Sequence, residues 1–127
     1  MGDFKTPLSK VRGLGSAKDG THHWWVQRVT AVANIPLVLF MLVSAVGNAG
    51  KGHADWVAWM AQPVVAVVVI LFVANLMYHL RLGLQVTIED YVHTASTKVA
   101  LMLLLTFATI LMAALSIFSV LRIAFGG

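Results

Sequence analysis

Residues 63–91 read PVVAVVVILFVANLMYHLRLGLQVTIEDY. The stretch starts as a valine-rich apolar run and ends in a polar, acidic turn, and His79 is the one histidine inside any apolar run of the chain. A helix advances about 100° per residue, so the step from His79 to Asp90 returns to within roughly 20° of the same direction. If the helix persists that far, Asn75, His79, Gly83, Val86 and Asp90 share one stripe. Gly83 stands one turn beyond the histidine, where a side chain would block a flat ligand lying on the helix. The combination suggests a planar cofactor held by His79, with Asp90 and Tyr91 beyond it at the water boundary.

The surrounding chain sets the solvent in which that stretch must work. Of its 127 residues, 59% are hydrophobic and 11% charged. The mean hydropathy is +0.84. A soluble domain is nearer half apolar and roughly a quarter charged. Here the excess falls in three runs, which predicts an all-α integral membrane protein with three transmembrane helices. Three helices bury little surface among themselves, so partner helices are expected. Formal charge is +4. The bases cluster beside the spans, so membrane orientation and anionic lipid account for them better than nucleic acid does. There is no cysteine, which excludes disulfides and cysteine-ligated iron–sulfur clusters within the chain. No early apolar core or small-residue cleavage site marks a signal peptide, so the whole chain is expected in the mature protein.

In chain order, residues 1–23 are polar and glycine-rich and read as a mostly irregular arm, able to dock a soluble partner at the membrane surface. Residues 24–127 form the membrane domain. Trp24 and Trp25 mark an interfacial aromatic belt, and residues 29–47 form the first span, with Pro36 expected to kink it and Asn34 to bond a neighbour. A short loop follows. There Trp56 and Trp59 should share one face of an interfacial helix, with Asp55 suited to cap its start. Pro63 opens the second span, residues 63–84. Residues 85–98 are expected as loop, and residues 99–121 as the third span. Thr106, Thr109, Ala113 and Ser116 recur along it as a small-residue packing face.

Lys5, Lys10, Arg12, Lys18 and Arg28 precede the first span, and Arg81 and Lys98 flank the second loop; only Lys51 and Arg122 fall on the other side. This asymmetry predicts a cytoplasmic N-terminus and a periplasmic C-terminus, with His79 and Asp90 near the cytoplasmic face.

Ionisable groups inside spans are usually functional. His79 therefore reads as an axial haem ligand or a proton relay, against an interfacial histidine bonded to a carbonyl. No other span offers a second histidine, so a six-coordinate haem would need its other ligand from another chain. Arg28 lies at about the same depth, as a snorkelling anchor or the partner of a carboxylate such as a haem propionate. Arg81 could serve likewise but points to the opposite face. The Tyr91 hydroxyl could donate to a quinone carbonyl, with Asp90 orienting it or relaying protons; otherwise they are an interfacial tyrosine and a loop aspartate. His53 reads as a solvated loop residue. His93 and Glu89 read as solvated groups that could deliver protons. His22 and His23 alone make no metal site, and the methionines read as packing residues.

The residues His79, Gly83, Gln85-Val86 and Asp90-Tyr91 at this separation resemble the hydrophobic membrane anchor family of succinate dehydrogenase (complex II), in particular the smaller of its two anchors. The segment Gly20-Thr-His-His-Trp-Trp-Val-Gln-Arg28-Val-Thr30-Ala31 is similar to that family too, most closely in its alphaproteobacterial form. The similarity covers nearly the whole chain. It implies a bacterial inner-membrane component of succinate–ubiquinone oxidoreductase, assembled with a flavoprotein subunit, an iron–sulfur subunit and a companion membrane anchor. It further implies haem b shared between the two anchors, with His79 as one axial ligand and the companion supplying the other. Arg28 matches an arginine near the haem propionates, and Tyr91 and Asp90 match the ubiquinone-contacting tyrosine and the aspartate before it. The chain would contribute the quinone site rather than succinate oxidation, with no catalytic residue of its own. His23 departs from the acidic residue of some members, so no role is carried to it.

Two readings from other classes compete. A small proton-coupled transporter could use His79, Asp90 and Arg81 as a relay, although three unequal spans show no internal repeat. A purely structural tether would recruit a soluble enzyme through the N-terminal arm.

Overall fold

The structure, a computed structural model, describes residues 7–8 and 17–126. Among the described residues four helices follow one another: α1 (Ala17–Gly47), α2 (His53–Met60), α3 (Pro63–Tyr91) and α4 (Ala95–Ala124). Among the described residues there is no strand. α1, α3 and α4 are each long and apolar enough to cross a membrane; α2 is the short connector between the first two. The all-α, three-span architecture expected from composition is the one observed.

The helices outrun the apolar runs that predicted them. α1 is already helical at Ala17 and passes through Gly20, so the irregular arm expected up to residue 23 stops earlier. A glycine costs about 1 kcal/mol in a helix interior, which a helix already propagating through the membrane absorbs. The rest of the arm, residues 1–6 and 9–16, lies outside the described residues.

α3 likewise continues through Gln85–Tyr91, so the expected loop over 85–98 shrinks to Val92–Thr94 and α4 begins at Ala95. No proline or glycine follows Gly83 in α3, and one-turn side-chain bonds support the extension. The Thr87 hydroxyl donates to the Gly83 carbonyl at 3.1 Å, and Gln85 Nε2 donates to Glu89 Oε1 at 2.9 Å. Twenty-nine residues make about 43 Å of helix against a hydrocarbon core of about 30 Å. α3 is therefore longer than the slab is thick.

At the other end, α1 closes on Asn48, whose Nδ2 donates to the Ser44 carbonyl at 2.8 Å. Gly50 has φ +81°, a turn conformation that favours glycine. Asp55 lies in the first turn of α2 and caps it from within: the Gly52 N–H donates to Asp55 Oδ2 at 3.3 Å. The tryptophans do share a face, Trp56 meeting Trp59 edge-on at 5.7 Å while Trp59 stacks on Phe40 of α1 at 6.3 Å. Beneath them Val65, Ala66, Val69 and Val120 form the apolar core, flanked by Phe40, Met41, Trp59 and Met60.

α3 is the central element. It packs against both α1 and α4, whose backbones make no direct approach to each other among the described residues. Leu82, Leu105 and Thr109 are buried toward the α3–α4 turn; Ser116, expected on the same small-residue face, is exposed. No large side chain is fully buried among the described residues. Leucines, valines and phenylalanines along all three long helices remain open, such as Val43 at 71% and Phe107 at 66%. Apolar surface on that scale fits lipid or further helices and does not fit water.

Candidate functional site

The end of the bundle away from α2 holds a polar cluster between α1 and α3. His79 Nδ1 lies 2.9 Å from Thr30 Oγ1. One turn away, Asn75 Nδ2 donates to the Thr30 carbonyl at 2.9 Å and to Asn34 Oδ1 at 2.7 Å. Four residues along α1 match four residues back along α3, the register of antiparallel helices in lateral contact. Inside a membrane a polar side chain must find a partner, and here each finds it across the helix pair. Asn34 thus makes the neighbour bond expected of it.

His79 is half-buried, and no hydrogen bond reaches its Nε2 among the described residues. One turn on, a Cβ added to Gly83 would meet nothing within 4 Å. The imidazole therefore has one nitrogen tied to α1, the other free, and an uncluttered helix turn beside it. Among the described residues no group of three or more His, Asp or Glu could hold a bare metal ion. A single imidazole suits a metal that arrives with most of its coordination already filled.

Arg81 takes the other side of α3. Its Nη2 donates to Thr106 Oγ1 on α4 at 3.3 Å, and its Nη1 donates to Gln85 Oε1 at 3.5 Å. Thr106 can accept because its own hydroxyl proton goes to the Met102 carbonyl at 2.8 Å. Arg81 and His79 thus face different helices, as the sequence spacing expects.

The remaining candidates lie on open surface. Arg28 is exposed, two residues from Thr30 and so on the far side of α1 from it. Its guanidinium sits over the Trp24 ring at 5.5 Å from the centroid, a cation–π contact, and Trp24 stacks on Trp25 at 6.2 Å. Asp90 is exposed and Tyr91 is 80% exposed at the last turn of α3; neither has a hydrogen-bonded side-chain partner among the described residues. His22, His53 and His93 are exposed. His23 Nε2 is buried without a hydrogen-bond partner among the described residues.

The structure thus joins His79 to a residue that the sequence alone does not connect with it. Asn75 is readable there on the His79 stripe of α3, but Thr30 appears only as a polar residue near a span, and its pairing depends on which face α1 turns to α3. A helix apolar all round does not declare that face.

Residues 3–113 match the family model described as succinate dehydrogenase/fumarate reductase transmembrane subunit. The chain belongs to this family. Among its relatives is the succinate dehydrogenase hydrophobic membrane anchor subunit of Paracoccus denitrificans, 34% identical over 97% of this chain and 95% of that one. The protein of the same description from Rickettsia bellii is 34% identical over 71% of this chain and 72% of its own. Three apolar helices and this membership make the chain a multi-pass membrane anchor of the bacterial inner-membrane type.

Proposed function

We propose that this chain anchors succinate dehydrogenase to the membrane, supplies one axial ligand to haem b through His79, and forms part of the ubiquinone-reducing site with Asp90 and Tyr91. The observation that carries the haem assignment is the state of the His79 ring. Its Nδ1 is engaged by Thr30 at 2.9 Å, and its Nε2 is left without a partner among the described residues, beside the bare turn at Gly83. That donor set fits a haem. His79 would hold the iron of such a group, and Gly83 would leave room for the flat ring beside it.

When bound, haem b supplies one-electron storage between the iron–sulfur subunit and the quinone. This chain's own residues bind and position. His79 holds the iron from α3. Arg28 would supply a planar, permanently charged fork for a propionate only once its side chain leaves Trp24 and reaches around α1 from the side away from Thr30. The Tyr91 hydroxyl donates a hydrogen bond to a quinone carbonyl, and Asp90 orients it or passes protons from the adjoining water. The companion membrane anchor would supply the other histidine. The iron–sulfur and flavoprotein subunits dock on the same side of the membrane as Tyr91. Lysine and arginine placement makes that side the cytoplasm, with the C-terminus periplasmic.

Family membership gives a proton-coupled transporter no support. A purely structural tether would differ in carrying no haem. The deciding experiment is a reduced-minus-oxidised visible spectrum of the purified complex. A b-type band is expected, and it should disappear in His79→Ala while the subunits still copurify. An undiminished band in that variant would remove His79 as ligand.

A further inference from the structure

We propose that Thr30 is the positioning residue for the haem-ligating imidazole: it fixes His79 as the Nδ1–H tautomer and sets the electron-donor strength of the ring. This rests on His79 being a haem ligand and adds a residue on another helix to that assignment.

Thr30 is 7% exposed. Its Oγ1 lies 2.9 Å from the Val26 carbonyl oxygen, 3.0 Å from that of Gln27 and 2.9 Å from His79 Nδ1. Carbonyl oxygens only accept, so the single hydroxyl proton has two acceptors on its own helix. With the proton given to either, the oxygen turns its lone pairs toward the imidazole and accepts from Nδ1–H. The unprotonated nitrogen is then Nε2, the one with no partner among the described residues. Coordination requires that form: iron on Nε2 obliges Nδ1 to carry a proton, and a buried N–H needs an acceptor. Thr30 is the acceptor this chain provides.

Thr30 is itself held in place. Asn75 donates to the Thr30 carbonyl at 2.9 Å and to Asn34 at 2.7 Å, clamping this turn of α1 against α3 on the side of the ring away from Gly83. A threonine whose hydroxyl already donates to a carbonyl is a better acceptor, because hydrogen bonds in series polarise one another. Accepting from Nδ1–H makes the imidazole more basic, which favours ferric over ferrous iron and lowers the reduction potential.

The test uses the intact complex with Thr30→Ser, Thr30→Cys and Thr30→Val, and reads haem retention, haem midpoint potential and the low-spin ferric EPR signal. Copurification of the other subunits with each variant verifies assembly. Valine keeps the shape and loses the acceptor. It should raise the potential, shift the EPR g-values and weaken haem retention by about tenfold, at the low end for loss of such an outer partner. Serine should restore all three readouts, and cysteine, a weak acceptor, should fall between. If the valine complex does not assemble, the serine-to-cysteine difference still reports the effect. A potential and EPR signal independent of the side chain at position 30 would overturn the proposal. His79→Ala separates the two claims. A surviving haem band there defeats the ligand assignment; loss of the band there, with unaltered haem in Thr30→Val, defeats the Thr30 assignment alone.

Discussion

His79 and Arg81, two residues apart on α3, are bonded to different helices: His79 Nδ1 lies 2.9 Å from Thr30 of α1, and Arg81 Nη2 lies 3.3 Å from Thr106 of α4. A helix turns about 200° over two residues, so one turn of α3 serves both seams. The redox candidate occupies one seam and a structural cation occupies the other.

The Asn34–Asn75 bond should show as a measurable coupling. In a double-mutant cycle with Asn34→Leu and Asn75→Leu, we expect a coupling of about 0.6 kcal/mol, the average for such bonds inside membranes. Denaturation of the complex in mixed micelles measures it. Strict additivity of the two substitutions would show that the 2.7 Å contact contributes nothing to helix pairing.

Gly83 separates chain stability from ligand space. A Cβ there meets nothing in this chain, and alanine is favoured over glycine in helices by up to about 1 kcal/mol. Gly83→Ala should therefore leave the helix bundle as stable or slightly more so, while the bulkier Gly83→Leu should abolish most haem incorporation. The haem-to-protein ratio and the copurification of all partners, measured together, check this; full haem content in the leucine variant would remove Gly83 from the pocket.

Tyr91 is 80% exposed, so Tyr91→Phe should leave folding and assembly unchanged. Quinone reduction should fall about tenfold, the kinetic equivalent of one lost hydrogen bond. Succinate oxidation with a soluble acceptor should stay near its original rate. Equal loss of both activities would argue against a quinone contact.

Membrane orientation can be read by thiol labelling, because the chain has no cysteine of its own. Ser96 and Ala49 are exposed at opposite ends of the bundle. In sealed cells, Ala49→Cys should react with a membrane-impermeant reagent and Ser96→Cys should react only after lysis. The reverse pattern would invert the proposed topology.

Hydropathy makes the three spans legible, and one histidine inside an apolar run singles out His79 without any geometry. Helix ends are harder to read. The polar residues Gln85–Tyr91 look like loop by composition, yet a helix leaving the membrane needs no apolar face and is supported by its own one-turn bonds. Thr30 is hidden for a different reason. Its role depends on the rotation of α1 about its axis, and with Val29, Val32 and Ile35 as apolar as the buried side, no periodic stripe announces that rotation. The arm before Ala17 can be read only as polar and glycine-rich, because its sequence carries no pattern that commits it to a partner.

The lack of direct backbone approach between α1 and α4 has an evolutionary corollary. The outer helix can change its length or bulk to suit a thinner or thicker bilayer without tugging on the proposed haem ligand, since any adjustment must first cross the stiff middle helix. Homologues in membranes of different thickness should therefore diverge first in α4, leaving the Thr30–His79 seam untouched.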